Sequence, residues 1–363
     1  MKKNILLTCL FLLGAVGACT GAVPQLVYNG DTLPWNMQWL QGQCGSVSKA
    51  LKLPEISGIA CSRVTPGYIW MQSDDYEDRI IATTKKGAKL YTKVTFTTQI
   101  RWDWEDMSGG VYDGKNYLFI GAFGDNDEDD GNYHIVYFEE PAIDSLNPNI
   151  TITPSYIKYQ YPEGRYHNAE ALMYDNRTQT IYIITKVYYN VCQVFKLPFR
   201  LDYGTEMQTV EYVCDLGVKS DLGAGSRPDK GFHLVTAADI SPDGKYILIK
   251  NHNNTNANYS WILLWQRQGE ESVDETLKNG TPEPLGCYSY EWQGEAICWL
   301  DNNTFYTTSD SDGEPPIYIY KRRWPENIET VQTQNENRLV MKDGVICLRT
   351  DNGFYTLDGR KVQ

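Results

Sequence analysis

One pattern constrains this chain more than any other: a short acidic or small-polar segment, a turn, and an aromatic or aliphatic strand recur five times. The copies are EISGIACSRVTPGYIWMQSDD (55–75), DWEDMSGGVYDGKNYLFIGAFGDND (103–127), NAEALMYDNRTQTIYIITKVYY (168–189), VTAADISPDGKYILIKNHN (235–253) and QGEAICWLDNNTFYTTSDS (293–311). Further strand-like segments follow, such as 133–141, 191–198, 260–267 and 317–322. Repeats of this length, each worth about four strands, are the signature of a β-propeller, because one blade alone cannot cover its apolar faces. An extended segment precedes each copy and completes the previous blade. VSKALKLP (47–54), before the first copy, is therefore expected to close the ring beside the last blade and remove a free sheet edge. The expectation is an all-β, five-bladed β-propeller over 24–323, closed by an N-terminal strand and followed by a short C-terminal β tail. A sixth, degenerate blade within 24–46 or 324–363 is the alternative.

Composition supports this class. The 26 Tyr and 10 Trp lie in short segments bounded by Gly, Asn, Asp and Pro, and no amphipathic helical run exceeds two turns. The formal net charge of −13 argues against a nucleic-acid polymer as partner, since phosphate binding needs a basic surface. Nothing in the chain calls for self-association, so a monomer is expected.

Both ends read as addresses. Met1-Lys2-Lys3 followed by apolar 6–18 has the form of a signal peptide over residues 1–22. Small residues before Cys19 suit lipoprotein processing; cleavage after Ala18 or Ala22 without a lipid is the other option. The mature chain is then exported to the periplasm, outer membrane or cell surface, meeting a membrane only through such an anchor. Residues 324–363 form a polar spacer and a tail read as a pair of strands. That tail resembles the C-terminal sorting tails of secreted Bacteroidetes proteins. Seven of the nine cysteines lie beyond the leader, scattered and without metal spacing, and read as small apolar residues rather than as a disulfide framework.

Aligning the copies on Ile59, Met107, Leu172, Ile240 and Ile297 puts Ser57, Glu105, Glu170, Ala238 and Glu295 two residues earlier, at equivalent inner-strand sites. Three carboxylates brought together at the axis must either hold protons or surround a cation. Oxygen donors of flexible geometry favour Ca²⁺, so Ser57, Glu105, Glu170 and Glu295 are the expected metal ligands. The 125–131 acidic run lacks the position-twelve Glu of an EF-hand, Val136 standing there. His167 is the one histidine placed to line the channel.

The ring order Ser, Glu, Glu, small, Glu resembles the calcium-activated apyrases, five-bladed propellers that hydrolyse nucleoside di- and triphosphates around a central Ca²⁺. EISGI and QSDD, and WEDMS before LFIGAFGD, carry that resemblance; Ala238, where the family has a hydroxyl, departs from it, with Thr236, Asp239 or a carbonyl as substitutes. The chain is also similar to secreted bacterial propellers bearing WED, GDN, AEAL, ADISPDG and QGEAI strings. The apyrase resemblance implies a calcium-dependent phosphohydrolase in which Lys186 and Lys250 hold phosphate and Asp75 orients water. The alternative is a non-catalytic envelope propeller recognising a small molecule, glycan or protein.

Overall fold

The computed structural model describes residues 27–28, 31–32, 39–51, 53–75, 78–87, 92–97, 103–144, 146–186, 192–216, 233–253, 260–285, 291, 293–310, 314–322, 338–342, 345–350, 353–356 and 361–362. The expected leader with Cys19 and the spacer 324–337 lie outside these residues. A two-residue hairpin, β1 (Val27–Tyr28) and β2 (Asp31–Thr32), precedes the first long strand, β3 (Trp39–Ser46).

Five small antiparallel sheets follow. Blade 1 is β4 (Gly58–Cys61), β5 (Tyr68–Gln72), β6 (Arg79–Thr84) and β7 (Thr92–Phe96). Blade 2 is β8 (Trp104–Tyr112), β9 (Lys115–Ala122), β10 (Tyr133–Glu139) and, after β11 (Asn149–Ile152), β12 (Ser155–Gln160). Blade 3 is β13 (Ala169–Asp175), β14 (Thr180–Thr185), β15 (Cys192–Pro198) and, after β16 (Gln208–Thr209), β17 (Glu211–Leu216). Blade 4 is β18 (His233–Ile240), β19 (Tyr246–Asn253), β20 (Ser260–Gln266) and β21 (Glu283–Leu285). Blade 5 is β22 (Ala296–Asp301), β23 (Thr304–Thr308), β24 (Pro316–Arg322) and β3. The inner strands β4, β8, β13, β18 and β22 neighbour one another in turn, and β22 returns to β4. A closed five-bladed ring results.

The core is divided accordingly. Five apolar clusters occupy the five seams between successive blades, the seam between blades 5 and 1 included. Inner strands are covered on both faces, so β13 and β14 are buried along their whole length. Outer strands alternate, as in the e-i-B-i-B-e pattern of β12. The outer edges are themselves covered: β11, from the blade-2 excursion, pairs parallel to β7, and β16 pairs parallel to β12. Such pairing shields an edge from association with another chain.

Ring closure differs from expectation by one segment. The closing strand is Trp39–Ser46, antiparallel to β24 with Trp39 opposite Arg322 and Ser46 opposite Pro316. Residues 47–54 instead turn through a 3₁₀ helix (Lys49–Leu51) and plug the seam with Val47, Leu51 and Leu53. The sequence WLQGQCGS lacks apolar alternation because an outermost strand has little to bury, whereas the segment after it spaces Val47, Leu51 and Leu53 so that all three reach the seam. Trp39 anchors the closure, its ring centroid 5.0 Å from Phe305 and 5.6 Å from Trp299. Trp39→Ala is expected to cost about 3–5 kcal/mol, the range for emptying a buried aromatic site. Urea unfolding would measure it; a loss below about 1 kcal/mol would mean that closure does not depend on this anchor.

The tail is a four-stranded antiparallel sheet rather than a pair of strands: β25 (Arg338–Lys342), β26 (Val345–Thr350), β27 (Gly353–Thr356) and β28 (Lys361–Val362).

Candidate functional site

In blades 1, 2, 3 and 5 the entry to the inner strand is tied to the end of the second strand. Carbonyls of Glu55, Asp103, Asn168 and Gln293 accept N–H groups from Asp74 (3.3 Å), Phe123 (2.9 Å), Lys186 (2.9 Å) and Asp310 (2.9 Å). Two residues further on stand Ser57, Glu105, Glu170 and Glu295, each at most 8 % exposed. The ladders of blades 2, 3 and 4 shift register here, between Trp104 and Met107, Ala169 and Ala171, and Val235 and Ala237. Such a bulge adds one residue and re-aims its side chain.

In blade 4 the added residue is Thr236. Ala237 faces Lys250 as Ala171 faces Ile184, and Asp106 Oδ2 accepts the amides of both Leu172 (2.9 Å) and Ala238 (3.1 Å). Ala238 therefore stands level with Leu172, and the blade-4 counterpart of Glu170 is the Thr236 hydroxyl, which donates to Gly294 O at 2.8 Å. Alignment on Ile240 is two residues out of phase.

The three glutamates do converge, and what they surround is an ammonium. Lys186, the residue after β14, places Nζ 2.9 Å from Glu170 Oε2, with side chains only 11 % and 5 % exposed. Burial opposes its charge, but Glu170, Glu295 and Glu105 more than offset this and hold the ammonium protonated. Burial, with the neighbouring charges of Glu170 and Asp103, drives Glu105 well above the usual carboxylate range. Glu105 is hydrogen-bonded to Glu170, which burial also raises against the pull of Lys186. Glu295 goes the other way: burial would raise it, but Lys186 and His252 together hold it low, His252 Nδ1 lying 3.3 Å from Glu295 Oε1. Asn168 Nδ2 completes the network with a 3.1 Å bond to Glu170 Oε1.

Two further carboxylates lie in the same axial region: Asp106, not singled out from sequence, and Asp239, named there only as a substitute for the missing blade-4 ligand. Asp106 is fully enclosed; Oδ1 accepts Met107 N (2.8 Å) while Oδ2 accepts from blades 3 and 4. Asp239 accepts Ile240 N (2.9 Å) and, from blade 5, Trp299 N (2.7 Å), and burial pushes its carboxyl up to about 6. These are cross-blade staples. An acidic residue inside an otherwise apolar inner strand, as in WEDMS and ADI, was the available signal.

The mouth beside blade 1 is more acidic still. Glu55, Asp74 and Asp75 bring one carboxylate oxygen each within 4.8 Å of the others, the only such trio of potential metal ligands among the described residues. Asp74 is pushed up to about 8 by burial, then by Glu55, Asp310, Asp75 and Asp103, and its enclosed Oδ1 meets no donor among the described residues. Glu55 (φ 49°) and Gln293 (φ 41°) hold left-handed backbone at equivalent entries to blades 1 and 5. That geometry costs of order 1 kcal/mol for a residue with a Cβ. In the adjoining blade 2 a polar pocket of about 290 Å³ opens between Asp103 and the 124–132 loop. A Cβ on Gly124 would collide with both Glu105 Oε1 and Asp103 Oδ2, so only glycine fits beside this carboxylate pair.

The other expected residues fall as follows. Ser57 is buried and its hydroxyl donates to Glu55 O at 3.3 Å. Asp75 is exposed on the turn after β5. Lys250 reaches no mouth: it is wholly enclosed between blades 4 and 5, donating to Glu291, Thr308 O (3.1 Å) and Ala296 O (3.4 Å). The strand register turns it toward the neighbouring blade. His167 packs on Tyr161 and Phe195, at 4.7 and 5.5 Å between centroids, in the seam of blades 2 and 3 rather than in the channel. Asp125 organises its own loop, accepting the amides of Asp129, Asp130 and Gly131 and the Tyr133 hydroxyl (2.7 Å). That carboxylate is spent on the backbone.

A calcium ion among the ring glutamates does not fit these residues. Lys186 already supplies the compensating positive charge there, and the glutamates are absent from any trio within 4.8 Å. The mouth trio has the donor chemistry that a hard cation takes.

No protein-family model matches the chain, and no curated protein sequence matches it. Solved structures do. An α-L-arabinofuranosidase from Podospora anserina is 11 % identical over 79 % of this chain and 97 % of its own, with a TM-score of 0.45. Another, from Lactobacillus brevis, is 9 % identical over 77 % and 95 %, with a TM-score of 0.41. A Bacteroides thetaiotaomicron protein of unknown function is 12 % identical over 84 % and 74 %, with a TM-score of 0.38.

Proposed function

We propose that the chain is an exported propeller that binds a divalent cation, calcium by its ligand chemistry, at the channel mouth on Glu55, Asp74 and Asp75. One observation carries this: three carboxylates within 4.8 Å of one another, one of them half-buried and raised to about 8 by burial and by the neighbouring carboxylates. Such a cluster must take up a proton or a cation. Because Asp75 is exposed, the ion has a side open to solvent and to an anionic group of a small molecule or glycan. Catalysis is the weaker reading. Lys186 and Lys250, the residues expected to hold phosphate, are each committed to a buried carboxylate. The protein then acts as a cation-dependent binding module of the cell envelope.

The test is the melting temperature of the mature chain against calcium and pH. With Asp74 raised in the fold above its unfolded value, the folded state binds the extra proton, so without calcium stability falls as pH rises toward 8. Calcium displaces that proton, so its effect is expected to grow from pH 6.5 to 8.5. At 100 times Kd the expected rise is about 4 °C for a domain of this size. Asp74→Asn with Asp75→Asn should remove it. A rise that survives this pair but is lost in Glu170→Gln would put the ion in the ring, and no rise at all would end the cation reading.

A further inference from the structure

We propose that Cys61 and Cys298 form a disulfide that locks the seam between the first and last blades. Their sulfurs lie 3.4 Å apart, on the adjacent inner strands β4 and β22, and are 8 % and 2 % exposed. Among the described cysteines, no other sulfur pair is in contact. A disulfide is about 2.05 Å long, so the two sulfurs must close by roughly a further 1.4 Å to bond.

The location gives the bond a purpose. On the outer side, the seam is held by hydrogen bonds between β3 and β24 and by the chain running on into blade 1. On the axial side, blades 5 and 1 meet by side-chain packing of Ile59, Ala296 and their neighbours. A Cys61–Cys298 link closes a loop of 237 residues, nearly the whole ring. Cross-links of long loops remove the most freedom from the unfolded chain.

The chemistry is thiol–disulfide exchange with a disulfide-bearing oxidant, such as oxidised glutathione or an envelope dithiol oxidase. One cysteine thiolate attacks a sulfur of the oxidant and expels a thiolate. The second cysteine thiolate then attacks the mixed disulfide and expels the other. The pair loses two electrons and two protons, and the oxidant leaves as two thiols. Burial in the finished seam raises the Cys298 thiol well above its ordinary range, so exchange belongs to the stage before the seam closes.

The test uses the mature chain produced by export to a bacterial periplasm. Free thiols are alkylated under denaturing, non-reducing conditions and the peptides mapped by mass spectrometry. A linked Cys61–Cys298 peptide is expected, with Cys44, Cys192 and Cys214 alkylated. Reductant should lower the melting temperature by about 5–8 °C in the wild type and leave Cys61→Ala and Cys298→Ala unchanged. Full alkylation of both cysteines in the wild type would overturn the proposal. So would a reductant effect of equal size in Cys61→Ala.

Discussion

Lys186→Met is expected to cost about 3–5 kcal/mol at pH 8, the penalty for removing one member of a buried ion pair and stranding the other. The ammonium is 2.9 Å from Glu170 and is also attracted by Glu295 and Glu105. Without it Glu170 and Glu295 repel each other, and Glu295 keeps only His252 and Lys250 to act against that repulsion. The pH dependence has a definite sign. In the variant both carboxyls rise above their unfolded values, so the penalty is full at high pH and shrinks as pH falls and they take protons. In the wild type Lys186 is raised, so its contribution persists at all pH values below the ordinary lysine range. Calcium offers a second readout, because the variant leaves three carboxyls about an empty cation position. Millimolar calcium should recover part of the lost stability even when Asp74 and Asp75 are both changed to Asn. Adding Glu170→Gln to Lys186→Met should also restore part of it. A Lys186→Met loss under about 1 kcal/mol at pH 8, by urea unfolding, would show that Lys186 is not what neutralises the ring.

The second large effect is expected at Asp106. Its carboxylate accepts amides from Met107, Leu172 and Ala238, so it joins the inner strands of three blades from one fully buried side chain. Asp106→Ala leaves these donors unpaired, at about 1–3 kcal/mol for each buried orphan, and opens a void beside them. A total of about 4 kcal/mol follows if the void admits one water. Asp106→Asn keeps the volume and one acceptor oxygen and should lose roughly half as much. Burial drives Asp106 well above the usual carboxylate range, against the pull of the three amides. Asp127→Ala, in the exposed rim loop, is the control and should change stability by less than about 0.5 kcal/mol. Equal losses for Asp106→Ala and Asp127→Ala would remove the cross-blade role.

The repeat determined most of the fold by itself. Five acidic-small-apolar copies with turns between them require five inner strands, and stacking them is the way to bury both faces of segments such as AEALMYD and TIYIIT. The same spacing placed Glu105, Glu170 and Glu295 in one layer. What it could not supply was register and partners. A slip of two residues leaves every side chain on the same face of a strand, so Ala238 and Thr236 could not be told apart until the ladders were paired. The closing strand was hidden because an outermost strand has little hydrophobic pattern to show. Above all, only the tertiary structure decided what each charge meets. Lys186 and Lys250 look alike in sequence, each near the end of a second strand, yet the first lies among the ring glutamates and the second lies between blades on Glu291. Coulomb interactions and burial act over a few ångströms of space, and the residues that set them here lie tens to hundreds of positions apart along the chain.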